Sequence, residues 1–261
     1  MGLITVEQIL HEHLLAERDA RAIRHDPLPG VIHAGASSAG ACARAVAFRA
    51  AGISATNPPT ADSLVNFHIG DAVHDVVQRA IISRWPNAAT EVSGTLGDFL
   101  SGHADVVYFA EDGGKVVCEI KSVSDFAFEL ATGIELRSNG RWRRKDSTAE
   151  GPKTEHLLQA LIYARMLAAQ YVAIVYVRKT AAKDEPILHE WRFTAAEYDS
   201  AVDAEVTRLR DVITLLRAGR LPDREYNGEI LKNPLKIKFP CGYCNYLSGC
   251  VEAGPGEVQI Q

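Results

Sequence analysis

The stretch that decides the fold runs from Gly102 to Lys121 and reads GHADVVYFAEDGGKVVCEIK. Both of its ends are rich in β-branched and aromatic side chains, which predicts strands over 103–109 and 115–121, with the intervening EDGG as a hairpin turn. The hairpin brings Asp105 near Glu119. Charges inside buried strands cost several kcal/mol unless a partner or a metal offsets them, so their presence indicates a site.

Side chains alternate between the two faces of a strand, and this alternation predicts which residues of the second half of this stretch share a face. Glu119 and Lys121 share one face, while Cys118 and Ile120 point to the other. Together with Asp105, Glu119 offers the oxygen ligands that Mg²⁺ prefers, and such a cation would polarise a phosphate and lower the pKa of a water. Lys121 would orient that water or stabilise charge on the phosphate. The alternative is a structural salt bridge on a half-exposed hairpin.

The rest of the chain predicts helices and strands in an order typical of a mixed α/β fold. Helices are predicted over 5–24, from Ser37 and Ser38 to about Ala51, over Asp62 to Trp85, over 155–169 and over 195–218, and strands near 91–96, 171–178 and 188–193.

Two of these helices carry further candidate residues. The helix from Asp62 to Trp85 is expected to bury a face made of the following residues: Phe67, Gly70, His74, Val77 and Ile81. A histidine in such a place is more often a packed core residue than a ligand. In the helix over 155–169, the side chains of His156, Gln159 and Tyr163 share a face, which ordinary packing would also explain.

Composition narrows the class of protein. Of the 261 residues, 23% are charged and 47% are hydrophobic, which is ordinary for a globular protein. No apolar run is long enough to cross a membrane, and the first residues lack the pattern of a signal peptide, so a cytoplasmic protein without a membrane partner is expected. Because the net charge is −5, binding to nucleic acid requires a local basic patch.

One such patch precedes the helix over 155–169. It contains Arg137, Arg141, Trp142, Arg143, Arg144 and Lys145. The cations would neutralise phosphates, and the indole could stack on an unpaired base. The alternative is a solvated flexible loop.

The cysteines indicate a second site. There are five, an odd number that argues against a disulfide framework, and Cys241, Cys244 and Cys250 lie within ten residues of one another. Three clustered thiolates suit a metal, which requires a fourth ligand from Cys42 or Cys118. Cys118 is better explained as a small core neighbour of Glu119, while Cys42 could reach the cluster only if the two ends of the chain meet.

The succession of His74, the GHAD segment, the EIK segment and the QALIY segment from Gln159 to Tyr163 resembles the PD-(D/E)xK nucleases of the RecB-like clade, from about residue 37 to 250. The resemblance implies metal binding by His74, Asp105, Glu119 and the backbone carbonyl of Ile120. Lys121 would be catalytic, with Gln159 and Tyr163 supporting the substrate or the active-site geometry. The proline of the family name is replaced by Ala104, which puts only a local turn in doubt. A histidine beside carboxylates also accepts Mn²⁺.

The placement of the cysteines is similar to that in the iron–sulfur subset of this clade, which includes the CRISPR-associated adaptation exonucleases and related viral exonucleases. This resemblance implies that Cys42, Cys241, Cys244 and Cys250 hold a four-iron four-sulfur cluster. A structural zinc ion in the same thiolates is the alternative.

The resemblance also implies the architecture: a restriction-endonuclease-like α/β core with a mixed central sheet flanked by helices, and an iron–sulfur module formed by N- and C-terminal segments. The expected division is a helical segment over 1–36, the nuclease core over 37–235 and the cysteine module over 236–261.

The expected function is that of a Mg²⁺- or Mn²⁺-dependent exonuclease acting on single-stranded DNA or DNA ends, in viral or bacterial DNA processing, recombination or repair. Alternatives are a nucleic-acid-binding scaffold with a weak site, and a nuclease that trims spacers in CRISPR adaptation. A helicase–nuclease is excluded by the lack of a phosphate-binding G-x-x-x-x-G-K-[ST] loop.

Overall fold

The computed structural model describes residues 5–20, 28–136, 142–144, 150–180, 186–225, 241–254 and 258–259. In these parts of the chain no helix has the length and apolar character needed to cross a membrane.

The chain alternates between helices and strands. The helices are α1 (Val6–Ala20), α2 (Ala43–Ala50), α3 (Ala61–Arg84), α4 (Asp125–Thr132), α5 (Thr154–Met166), α6 (Asp199–Arg217) and α7 (Leu247–Glu252). The strands are β1 (Ala34–Gly35), β2 (Ala89–Leu96), β3 (Leu100–Phe109), β4 (Lys115–Val123), β5 (Ile134–Leu136), β6 (Trp142–Arg144), β7 (Tyr171–Arg178), β8 (Leu188–Thr194), β9 (Arg220–Leu221) and β10 (Val258–Gln259).

Six strands form a mixed central sheet. Its order is β1-β3-β4-β7-β8, with β2 also paired to β3. The pairing of β4 with β7 is parallel, as is that of β1 with β3, whereas β2, β3 and β4 run antiparallel in succession and β8 runs antiparallel to β7. The predicted fold class, a mixed central sheet flanked by helices, is therefore confirmed.

Helices cover both faces of this sheet. On one face Val73, Val77 and Ile81 of α3 pack against a cluster that includes Cys118 and Ile120 of β4. On the other face the second and larger cluster contains buried residues of α2, α5 and α6, together with inward side chains of β3, β4 and β7. The central strands are thus buried on both sides, which is why β7 reads as an almost uninterrupted apolar run.

Strand β3 shares one of its edges between two partners. Leu100 and Ser101 pair with β1, and Val106 to Phe109 pair with Cys118 to Lys115 of β4. Because β2 pairs along the opposite edge of β3, residues 102–105 have no strand partner on this side. Beyond the Val106–Cys118 pair β3 and β4 therefore diverge, and we call the space between them the fork.

The two ends of the described chain meet beside α2. The fully buried guanidinium of Arg44 donates to the carbonyls of Pro222, at 2.9 Å, and Gly254, at 2.6 Å. Further along, the Asn57 amide donates to the Asn245 carbonyl at 2.8 Å. These contacts bring the segment after α2 against the cysteine-containing segment.

Several predicted elements require correction. The buried stripe of α3 is rotated from the expected one, since the side chain of Phe67 is 52% exposed and Val73 takes the packed position. Helix α4 was not predicted. It begins where the Ser124 hydroxyl accepts a hydrogen bond from the Ala127 amide, and it ends at Gly133 with φ of 68°.

The remaining differences concern boundaries. Helix α5 ends at Met166 rather than residue 169, and α6 begins at Asp199 after a 3-10 turn. Of the first predicted helix, residues 21–24 lie outside the described part of the chain. The division into three segments stays a prediction.

Candidate functional site

The predicted acidic residues lie together in the fork. Asp105 Oδ2 accepts a hydrogen bond from the Ile120 amide at 2.7 Å, so the carboxylate replaces the missing ladder contact between β3 and β4. Asp105 Oδ1 lies 3.6 Å from Nδ1 of His74, which projects from α3. The fork thus brings an imidazole and a carboxylate to the point where Glu119 begins the divergent part of β4.

Glu119 is the group in the fork whose burial costs the most free energy. Its side chain is only 1% exposed, and within the described residues neither carboxylate oxygen accepts a hydrogen bond of good geometry. The Lys121 ammonium lies 2.5 Å from Oε1 and compensates part of the charge. Burial, followed by the charge of Asp105, raises the pKa of Glu119 well above its ordinary range. Burial also raises the pKa of Asp105.

Lys121 connects the acidic residues to α5. Its ammonium lies 3.3 Å from Gln159 Oε1, and Gln159 Nε2 lies 3.5 Å from the Tyr163 hydroxyl. Both α5 residues are buried, and burial raises the pKa of Tyr163. The three side chains form one polar line across the sheet face opposite α3.

Gly102 makes room for this line. A Cβ atom on Gly102 would lie 2.7 Å from Cε1 of Tyr163 and 2.9 Å from its hydroxyl, closer than real carbon contacts allow. The glycine that begins the GHAD segment is therefore required by the approach of α5 to β3.

The fork has the chemistry of a hard divalent cation site. Two carboxylates converge there, one of them buried with the Lys121 ammonium beside it, and a further positive charge would offset the cost of keeping both ionised. In the described part of the chain no three His, Cys, Asp or Glu side chains already stand at coordination distance from a common point. Cation binding would therefore include rotation of side chains such as His74.

Four of the five cysteines also come together. Cys42 precedes α2, Cys241 and Cys244 belong to a turn, and Cys250 lies in α7. All of them are free thiols. Burial, followed by the charges of the other three thiols, raises the pKa of Cys241, and burial also raises the pKa of Cys244, where Cys42 and Cys250 contribute. The meeting of the chain ends that ligation by Cys42 requires is thus present.

Cys118 lies apart from this group. It is buried in β4 on the face covered by α3, where burial raises the pKa of its thiol. Its interpretation as a core neighbour of Glu119 is confirmed.

A cavity of about 510 Å³ reaches from the four cysteines to Lys121, a feature that the sequence did not predict. Lys121, His156 and Gln159 line it together with the four cysteines. The side chains of Arg49 and Arg224 also line it, and their positive charges offset part of the rise in the pKa of Cys244 and Cys241 respectively. The four cysteines therefore share this space with Lys121 and Gln159, while His74, Asp105 and Glu119 do not line it.

His156 stays neutral in this cavity. The Tyr176 hydroxyl accepts a hydrogen bond from the Lys153 amide at 2.9 Å, so its own proton is available for Nδ1 of His156, 2.7 Å away. Burial, followed by the charges of Lys121 and Lys153, lowers the pKa of His156 to about 3. Because the imidazole of His156 is neutral, Lys121 rather than His156 supplies positive charge next to the fork.

Only three residues of the predicted basic patch lie in the described part of the chain. Arg137, Arg141 and Lys145 lie outside the described residues, while Trp142, Arg143 and Arg144 form β6, paired antiparallel with β5. This part is a strand, which differs from the alternative of a flexible loop. The β5–β6 pair follows α4, which begins two residues after β4 ends, so it comes soon after Lys121 in the chain.

Comparison with solved structures shows a fold shared with one of them, SSO0001. The crystal structure of SSO0001 matches with a TM-score of 0.52 at 17% identity, over 94% of this chain and 95% of that one. An alkaline exonuclease (LHK-Exo) from Laribacter hongkongensis matches with a TM-score of 0.43 at 14% identity, over 79% of this chain and 96% of that one. Its complex with dAMP matches with a TM-score of 0.37 at 15% identity, over 72% and 93%. No model of a protein family and no curated protein matches the sequence.

The lowered pKa of His156 predicts a pH dependence of stability. Below the ordinary pKa of 6.5 the unfolded chain takes up a proton that the folded chain refuses until about pH 3. Relative to His156→Asn, the wild type should therefore lose free energy of unfolding as the pH falls from 6.5, by at most about 1.4 kcal/mol per pH unit. Denaturant unfolding at pH 7, 6 and 5 measures this difference.

The control is Gln8→Asn, because Gln8 is an exposed residue of α1, away from the cavity, and neither side chain titrates. Its stability difference from the wild type should stay constant over the same range. A constant difference for His156→Asn would contradict the neutral, buried imidazole.

Proposed function

We propose that this chain is a divalent-metal-dependent nuclease that hydrolyses phosphodiester bonds. The observation that carries the proposal is Glu119, a buried carboxylate without a hydrogen-bond donor of good geometry, beside Asp105 and within reach of Lys121. A structural salt bridge would expose the pair or satisfy the carboxylate, since a half-compensated buried charge destabilises the fold.

The cation would be held by Asp105, Glu119, the Ile120 carbonyl and His74. When bound, Mg²⁺ or Mn²⁺ polarises the phosphate and lowers the pKa of the attacking water. The backbone hydrogen bond from Ile120 fixes one oxygen of Asp105, which leaves the other oriented towards His74.

Lys121 would act on the reacting phosphate. Its ammonium is held between Glu119 and Gln159, and it also lines the cavity through which a substrate strand would enter. From there it stabilises charge that develops on the phosphate oxygens or orients the water. Gln159 and Tyr163 position the ammonium, with Gly102 allowing their approach.

The substrate we propose is single-stranded DNA or a DNA end, cleaved as an exonuclease. This finer assignment rests on the resemblance to RecB-like PD-(D/E)xK nucleases, whose full motif set is present with one alanine in place of proline. The segment from Arg137 to Lys145 would supply cations for phosphates and Trp142 for base stacking.

The second part of the proposal is a four-iron four-sulfur cluster held by Cys42, Cys241, Cys244 and Cys250. The four thiols line one cavity and form no disulfides, which fits a thiolate-ligated metal group. Ligation would draw them closer, since no three of the described Cys, His, Asp or Glu side chains are already placed to hold an ion. Bound there, the cluster would clamp the two ends of the chain against the nuclease core. The same thiols would also accept zinc.

The competing function is a nucleic-acid-binding scaffold whose nuclease site is weak. The unsatisfied carboxylate of Glu119 disfavours it, because a binding scaffold gains nothing from keeping that charge buried. Roles in CRISPR adaptation and in viral or bacterial recombination fit the same site equally.

Nuclease activity is tested by Lys121→Met and Asp105→Ala. Each should lower the rate of cleavage of labelled single-stranded DNA in Mn²⁺ by about 100-fold or more, because each removes charge at the reacting phosphate or its cation. Lys179→Met is the control, because it removes an ammonium that is hydrogen-bonded to Asn66 outside the cavity. This variant should cleave DNA at the rate of the wild type. DNA that is shifted but uncut by the wild type would favour the scaffold.

The cluster is tested by anaerobic purification with a visible absorption spectrum and metal analysis. A brown protein with about four iron atoms per chain is expected, and Cys244→Ser should lose the colour and the iron. Cys118→Ser is the matched control, because that thiol lies on the other face of the sheet. A colourless wild type with stoichiometric zinc would overturn the cluster.

A further inference from the structure

Strand β2 contains a backbone distortion opposite the fork. Glu91 has φ of 50°, in the left-handed region that costs a non-glycine residue roughly 1 kcal/mol or more. Its neighbours pair normally, Thr90 with Val106 and Val92 with Ala104, so Glu91 stands opposite Asp105. Within these two described strands, that pair is the one missing from the ladder.

The distorted residue is held by α3. Gln78 Nε2 donates to Glu91 Oε1 and to the Asp105 carbonyl, each at 3.1 Å. Gln78 follows His74 by one helical turn, so the two side chains leave α3 on the same side. One amide group therefore ties the Glu91 carboxylate to the backbone of Asp105 and replaces the lost ladder contact.

Three acidic residues, Glu91, Asp105 and Glu119, lie in the adjacent strands β2, β3 and β4. The Glu91 carboxylate and the Asp105 carbonyl accept hydrogen bonds from the same Gln78 amide group, so Glu91 lies beside the fork. Glu91 is exposed whereas Glu119 is fully buried, so the cluster extends from solvent to a buried carboxylate whose oxygens lack hydrogen bonds of good geometry. The ammonium of Lys121 and the imidazole of His74 face these three charges, which leaves negative charge that a cation would balance.

We propose that Glu91 is a third carboxylate of the cation site, a positioning residue that attracts and retains the divalent ion at Asp105 and Glu119. This inference rests on the proposed function and adds a carboxylate of β2 beside its ligands. The left-handed conformation interrupts the ladder at Asp105, and Gln78 holds the Glu91 carboxylate beside the Asp105 backbone. The sequence carries no sign of it, because nothing in the TEV segment around Glu91 resembles a nuclease motif.

The test is Mn²⁺ affinity measured by titration calorimetry on the full chain. Glu91→Gln keeps an acceptor for Gln78 and removes only the charge, so it should weaken Mn²⁺ binding by between about 10-fold and 100-fold, as outer partners of metal ligands do. The cleavage rate should need more Mn²⁺ but approach that of the wild type at saturation. Glu111→Gln, an exposed carboxylate in the hairpin turn, is the matched control and should bind as the wild type does.

A second variant separates charge from conformation. Glu91→Gly should bind Mn²⁺ as weakly as Glu91→Gln while unfolding at a higher temperature, because glycine adopts φ of 50° without strain. Weak Mn²⁺ binding that comes with a lower unfolding temperature in both variants would show an effect on the fold and overturn the inference.

The remaining outcomes separate this inference from the proposed function. Wild-type affinity in Glu91→Gln, with a wild type that binds Mn²⁺ and cleaves DNA, would overturn the role of Glu91 alone. A wild type that binds no Mn²⁺ would overturn both.

Discussion

The buried carboxylate of Glu119 is the constraint on which the rest of the structure depends. An ionised carboxylate removed from water destabilises a fold by several kcal/mol unless it is fully compensated. Here a single ammonium, Lys121, lies beside it, and Asp105 adds a second negative charge. The protein keeps this arrangement at the centre of its sheet, as the proposed cation site requires, because a bound divalent ion would relieve the unfavourable charge.

The fold creates this site by letting two strands diverge. Along one edge of β3, the first residues pair with β1 and the last residues pair with β4, so the segment just before Val106 has no strand partner on that side. The side chain of Asp105 occupies this gap. Helix α3 closes the fork from one face with His74, and α5 closes it from the other with Gln159. Lys121 and Gln159 also line the cavity that contains the four cysteines.

The sequence predicted what local periodicity controls. The alternation along β4 placed Glu119 and Lys121 opposite Cys118 and Ile120, and the structure agrees. The prediction that Phe67 lies on the buried face of α3 was wrong, because tertiary contacts set the orientation of a helix on a sheet. The cavity shared by Lys121 and the cysteines depends on contacts between distant segments, and the conformation of Glu91 depends on Gln78. Neither feature can therefore be predicted from the neighbouring residues in the sequence.

The most direct test is thermal unfolding of the wild type and Glu119→Gln at pH 7.5, each with and without Mn²⁺. Removing the buried charge should make the variant more stable than the wild type in the absence of the ion. Mn²⁺ should raise the unfolding temperature of the wild type and leave that of the variant nearly unchanged. A wild type that is the more stable protein without Mn²⁺, or equal Mn²⁺ shifts in both proteins, would contradict the account.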